Sequence, residues 1–375
     1  MTTTNQIVPE KTGGFWTTTP ARKRNWVLPL LVTILIALSV GYVVANHYTQ
    51  KLFAITPGTA QTVQPFISVP KDKLHTDSGK ILLVTVFQES INPFTWIGDK
   101  LDHNVEILHV EQLTGNTPAS QLNAEDQVQM ETSTQTAVVV ALRRLGYQVN
   151  LNGMGAEVDA VVTGTPAAGV LSAGDVITSF DGTPIQSDDQ LVTAILMHHP
   201  GDTVTLQVRE GTPAKVVTKM MVLASAPANS ATPTTHAILG IQASTDEMPD
   251  LPINVSIDPG NIGGPSAGLA FTLGIIDDLT SGTLTGGKVI AVTGAINPDG
   301  TVGDVGGVAQ KAVAVTRAGA VAFIVPNVEV KTAEAHVGTR VKVIGVANLE
   351  QALQAMGSLG GNISALPPAP ATLSG

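Results

Sequence analysis

The apolar and polar positions of this chain change their spacing several times along its length. Residues 26–45 carry no charge and show no polar face. A helix of that length rises about 30 Å, the thickness of a bilayer core, whereas a buried core helix would keep a polar stripe. The run therefore predicts a transmembrane helix over residues 25–46. Trp26 and Tyr42 lie near its ends, where amphipathic rings suit the interface, and Arg22, Lys23 and Arg24 precede it. By the positive-inside rule, residues 1–24 are then cytoplasmic and the bulk of the chain lies outside the plasma membrane, held by one span. A cleaved signal peptide ending at Val43-Val44-Ala45 competes with this reading, although the apolar run is long for a signal.

Residues 47–75 lack periodicity and contain Pro57, Pro65 and Pro70, which reads as a stalk. Residues 80–87 (KILLVTVF) predict a strand, and residues 130–145 a helix closed by Gly146. Residues 150–225 predict a compact unit of strands and turns with one helix. A linker rich in Ala, Pro, Ser and Thr follows at 226–235. Strands and helices alternate through 236–357, and the Gly/Pro/Ala-rich residues 358–375 predict a disordered tail. The fold class is α+β.

Composition narrows the chemistry. With 43% hydrophobic but only 4% aromatic residues, the core must be built from Val, Ala, Leu and Ile. The net charge of −10, with no basic block beyond the N-terminus, argues against a nucleic-acid partner. The absence of cysteine excludes thiol catalysis, thiolate metal sites and disulfides. No HExxH string occurs, and the adjacent His198 and His199 project from different helix faces, so neither a metal nor a cofactor is expected. Residues 282–288 (GTLTGGK) imitate a phosphate loop, but Val289 stands where Ser or Thr would hold magnesium. The segment reads as a turn, and no ATPase module is present in the sequence.

Within the middle unit, Gly164-Thr165-Pro166 forms a turn after an alternating strand. Gly174-Asp175 and Asp181-Gly182 flank a short strand, and Ser187 with Gln190 makes a capping box for a helix with the apolar stripe Leu191, Val192, Ile195 and Leu196. Over residues 155–209 this text resembles a PDZ domain. The resemblance implies capture of extended C-terminal tails by strand addition beside that helix, with a carboxylate-binding loop near Tyr147–Gly155.

Two stretches carry reactive groups. In residues 258–268 (DPGNIGGPSAG), Gly263, Gly264 and Pro265 lead into Ser266, and the stripe Leu269, Ala270, Leu273 and Ile276 predicts a helix behind it. Pro265 suits a first helical position. Ser266 then sits where unpaired N–H groups and the positive dipole end collect, as an oxyanion requires. The glycines leave room for a substrate backbone. Lys311, 45 residues further on, lies between Val308 and Val315 on an apolar stripe, while Gln310 and Arg317 share the polar side. Apolar surroundings push a lysine towards its neutral amine, the form able to take a proton from a serine hydroxyl.

The strings GPSAG (264–268), TG (293–294) and GG-x-x-x-K (306–311) occur in the order seen in Lon-type proteolytic domains, which this segment resembles over about 120 residues. The resemblance implies a serine endopeptidase with Ser266 as nucleophile, Lys311 as general base and Thr293 orienting the lysine. It also raises assembly of copies into a homo-oligomer. Two acidic residues common in the family are replaced here by Gly263 and Ala295. Residues 76–149 resemble, more faintly, the N-terminal part of such a domain, so the PDZ-like unit is either inserted into it or precedes it. The expected activity is ATP-independent cleavage of unfolded or flexible polypeptides. The rival is a non-catalytic PDZ scaffold retaining the fold, and a Ser-His-Asp triad drawing on His236 or His336 is a further alternative.

Overall fold

The computed structural model describes residues 26–76, 78–110, 119–211, 214–226 and 233–370. Its first element is the helix Val27–Thr49, long and apolar enough to cross a membrane, with a mean hydropathy of 2.6 over its most apolar stretch. None of that stretch is buried against the rest of the chain. The hydroxyls of Thr33 and Ser39 donate to the carbonyls of Pro29 and Leu35 at 2.8 Å, so neither presents an unsatisfied donor to an apolar medium.

Beyond the helix, a six-stranded sheet has the order Lys342–Val346, Ala322–Pro326, Val289–Val292, Lys80–Ser90, Leu52–Thr62 and Glu106–His109. The first four strands are parallel and the last two antiparallel to their neighbours. Successive residues of Lys80–Ser90 serve opposite faces, as the pleat requires. Ile81 and Leu83 pack into one core with the helices Ala119–Arg144, Gly268–Leu279 and Leu349–Ser358. Leu82 and Val84 pack into another with the helix Val308–Arg317. Burial on both faces explains why this strand reads as an unbroken apolar run.

A second sheet has the order Ile241–Asp250, Asn150–Val161, Val176–Phe180, Thr203–Glu210 and Lys215–Val222, with its own core. Its helix Asp188–Leu196 is capped by Ser187, whose side chain accepts the N–H of Gln190. Segments before residue 150 and after residue 250 share the first core, so the second sheet interrupts the domain built on the first.

Four features differ from the sequence reading. The expected stalk at 47–75 contains the strand Leu52–Thr62, paired with Lys80–Ser90. Pro57 is tolerated there because the register shifts between Pro57 and Ala60 and the outer neighbour reaches only residues 52–55, so no ladder bond is lost. The expected boundary at 236 is displaced. Ala237–Ile238 pairs with Ala224–Ser225, and Ile241–Asp250 pairs along the whole of Asn150–Val161. The Pro- and Ser-rich stretch 226–235 is therefore a connection between paired strands, with residues 227–232 outside the described residues. The expected tail is ordered through residue 370. Ile363 and Leu366 pack on the first core, and Arg144 donates to the carbonyl of Pro367 at 2.8 Å; residues 371–375 lie outside the description. Finally, the segment Asn150–Gly155, near which the carboxylate-binding loop was expected, is paired with Asp246–Asp250 of the neighbouring strand, and the sheet's edge beside the helix is Ile241–Asp250 instead.

Candidate active site

The parallel strands of the first sheet end on one side of the domain, and the nucleophile candidate approaches from one face and the lysine from the other. Gly264 adopts φ 78° and ψ 157°, a conformation reserved for glycine, and hands the chain to the single 3-10 turn Pro265–Ala267. Ser266 is thus in a tight turn just before the α-helix Gly268–Leu279, rather than in that helix's first turn. The turn is tied from several sides. The Gly264 N–H donates to the Asp126 carbonyl at 2.8 Å, and the Ser133 hydroxyl donates to the Pro265 carbonyl at 3.0 Å. The Ser266 carbonyl accepts the Gly294 N–H at 2.9 Å. Gly268 has no room for a side chain, since a Cβ would come within 2.6 Å of the Ser133 oxygen.

Lys311 lies in the helix Val308–Arg317 and is 2% exposed. Gly307, at φ 67°, starts this helix so close to the sheet that a Cβ would meet Val86 at 2.8 Å. Gln310, expected on the polar side with Arg317, is instead 4% exposed, and its side-chain oxygen has no hydrogen-bond partner; Arg317 is exposed. The helix is covered on more of its circumference than a single amphipathic stripe allows, because it packs on both the sheet and the helix Val330–His336.

Thr293 follows the strand Val289–Val292 and joins the two groups. The Lys311 Nζ donates to the Thr293 hydroxyl at 3.1 Å, and that hydroxyl donates to the Ser266 carbonyl at 3.2 Å. Its one proton is thereby committed, leaving its lone pairs to receive the amine. Burial lowers the Lys311 pKa to about 8, against an opposing pull from the carboxylate of Glu329. Ser266 and Lys311 line one cleft of about 940 Å³, together with Gly263, Gly264 and Pro265. The lysine amine makes its hydrogen bond to Thr293 rather than to the serine hydroxyl.

Two groups in or near the cleft escaped the sequence reading. Asp126 lines it, and its Cβ stands 3.1 Å from where a side chain at Gly263 would begin. Burial first, and then Glu125, raises its carboxyl above the ordinary range. Glu329 reaches Lys311 from the turn Asn327–Glu329. Neither carries a local motif; only the sheet and helix packing brings them in. Neither His236 nor His336 lines the cleft. Among the described residues no group of three or more potential metal ligands occurs. Lys288, in the loop that imitates a phosphate site, donates to the Leu359 carbonyl, and Gly286 packs against Gly360, as a structural turn would.

Residues 217–356 match the family model of the Lon protease (S16) C-terminal proteolytic domain, and residues 143–220 match that of the PDZ domain. The chain joins a PDZ domain to a Lon-type proteolytic domain. Solved structures similar to it include the PDZ domain of an SdrC-like protein from Listeria monocytogenes, 29% identical, covering 24% of this chain and 87% of that one with a TM-score of 0.21. The corresponding domain from Listeria innocua is 28% identical, covering 24% and 92% with a TM-score of 0.21. A solution structure from Geobacillus thermodenitrificans is 34% identical, covering 20% and 82% with a TM-score of 0.18. No curated protein matches the chain. The PDZ match stops at residue 220, yet the strand Ile241–Asp250 completes the PDZ sheet. The strands Leu52–Thr62 and Lys80–Ser90 lie outside both matches and build the sheet of the Lon-type domain.

Proposed function

We propose that the chain is an ATP-independent serine endopeptidase in which Ser266 is the nucleophile, Lys311 the general base and Thr293 the group that aims the lysine. The observation that carries this reading is a buried lysine, with its pKa lowered to about 8, on the wall of the cleft that holds Ser266 and tethered by Thr293 to the serine's own carbonyl. The neutral amine takes the Ser266 proton as the oxygen attacks the substrate carbonyl. The lysine then gives that proton to the departing amine, and a water activated at Lys311 hydrolyses the acyl-enzyme. N–H groups of the turn Pro265–Ala267 face no preceding helical carbonyl and are the donors for the oxyanion.

The PDZ domain would deliver substrates. Ile241–Asp250 is the edge strand beside the helix Asp188–Leu196, and the two are joined by a hydrogen bond of 2.6 Å between Thr245 and Asp188. Val192 and Leu196 are exposed, four and eight residues after Asp188 and so on the same helix face. An extended C-terminal tail adding to this edge would find an apolar wall there, with the segment entering Ile241, around Leu239 and Gly240, as the carboxylate loop. The same strand leads on to residues 251–266, so the receiving edge and the nucleophile turn are neighbours in sequence. The span would hold both domains at the outer face of the plasma membrane, where substrates must be unfolded or flexible.

The test compares the full chain in detergent micelles with its Ser266→Ala and Lys311→Ala variants on casein and on fluorogenic peptides. Loss of cleavage in both variants, with folding retained and no response to ATP, supports the reading. Equal cleavage by all three would end the Ser266–Lys311 reading, and no cleavage by any of them would leave a binding scaffold.

A further inference from the structure

We propose that the short helix Thr95–Leu101 is a second membrane contact, seated in the lipid interface beside the transmembrane helix. The proposal rests on the single-span reading and extends it. Phe94, Ile97 and Leu101 are 79%, 60% and 73% exposed. Their spacing of three and four places them on one face of the helix. The opposite face is already satisfied, since Trp96 packs on the small core of Leu52, Ala54 and Ile91. The helix is therefore apolar on both sides, and the outward side stays largely exposed, its protein contact being that of the Phe94 ring with the span.

Position relative to the span identifies the other occupant. The Phe94 ring lies 5.7 Å from that of Tyr42, and Trp96 meets Tyr48 edge-on at 6.2 Å. Tyr42 precedes the helix end at Thr49 by seven residues, about 10 Å of rise, and belongs to the uncharged run. A side chain held against Tyr42 must share its depth. The outward face of Thr95–Leu101 is thus carried to the level of lipid glycerol and upper acyl chains, where aromatic and aliphatic groups partition while a short helix keeps its termini near water. Lys100, stacked 5.1 Å from the Trp96 ring, is placed to reach lipid phosphates. Two attachments, one spanning and one interfacial, would stop the catalytic domain from swinging on its link to the span.

The chain has no cysteine, so Ile97→Cys and, separately, Leu101→Cys each introduce a unique thiol for an environment-sensitive fluorophore. The labelled full chain is reconstituted in phosphatidylcholine–phosphatidylglycerol vesicles with and without lipid carrying a nitroxide near the headgroup. The expected result is a blue-shifted emission quenched about twofold or more by the nitroxide lipid at both positions, and no quenching of the same label at Met220→Cys on the PDZ domain. Unquenched labels at 97 and 101 in vesicles that the chain co-floats with would overturn the proposal while leaving the span intact. Energy transfer between labels on separate chains, without lipid quenching, would assign the face to a second copy instead. A chain that does not float with the vesicles would remove the span and this contact together. None of these outcomes depends on peptide cleavage, which reports separately on the active-site reading.

Discussion

Two lysines, one in each domain, show how burial and pairing divide the uses of a single side chain. Lys219, in the PDZ domain, is also partly buried, and burial by itself lowers its pKa. Hydrogen bonds and charge from Glu210 at 3.0 Å and Asp175 at 3.2 Å outweigh that effect and raise it. It donates as well to the Val170 carbonyl at 2.6 Å, and works as a charged strut. Lys311 is more deeply buried and has a hydroxyl rather than a carboxylate as its hydrogen-bond partner. Its pKa therefore falls to about 8. Desolvation disfavours the ammonium in both places; what differs is whether an anion is supplied to compensate. A general base needs the uncompensated environment, and a structural cation needs the other.

Removing each lysine in turn separates the two uses. Lys311→Ala should lower kcat by about a thousandfold or more while thermal unfolding changes little in character. Lys219→Met should leave cleavage of short peptides intact and cost about 1 kcal/mol of PDZ stability, since the pair is partly solvated. Similar activity losses from both would mean that Lys311, too, is structural. The same contrast predicts a pH profile. With a pKa of about 8, roughly a tenth of Lys311 is neutral at pH 7 and nine-tenths at pH 9, so cleavage should rise across that interval and then level. Stopped or initial-rate assays on a substrate without ionisable groups would reveal a flat profile if another group were the base.

Thr293→Val keeps the shape but removes the hydroxyl that receives the amine and holds the Ser266 carbonyl. It should reduce kcat by about 10- to 100-fold with little change in KM. Burial acts on acids with the opposite sign, and Asp278 supplies the case. Its carboxyl is pushed up to about 7, first by burial and then by Asp277. The folded form holds a proton that the unfolded chain releases near its ordinary value, so stability should decline as pH rises from about 4 to 7 and stay level above. Asp278→Asn should remove that decline and add about 2 kcal/mol at pH 8, read from denaturant midpoints. The smallest effect is expected from Glu329→Gln. It withdraws the one charge that favours the ammonium of Lys311, so the alkaline rise should move by a fraction of a pH unit to lower pH.

Much of the candidate site was legible because its parts are local. A glycine-glycine-proline approach to Ser266, a lysine on an apolar stripe and an uncharged run of bilayer length are statements about neighbours along the chain, and local sterics and helical period are written there. The strand Leu52–Thr62 was hidden by its prolines, which mark a loop until a short outer neighbour leaves Pro57 without a bond to spoil. The strand Ile241–Asp250 was hidden because its alternation does not say which sheet receives it.

The amino-acid order alone therefore determined the membrane-length helix, the two domain types and the residues proposed as nucleophile and base. Tertiary structure alone decided that the Thr293 hydroxyl also holds the serine's main chain, that Asp126 and Glu329 come near them, and that Thr95–Leu101 lies against the span. The physical reason is that period and propensity specify how a segment presents its side chains, whereas partners distant in sequence are chosen only when whole faces close over a shared core.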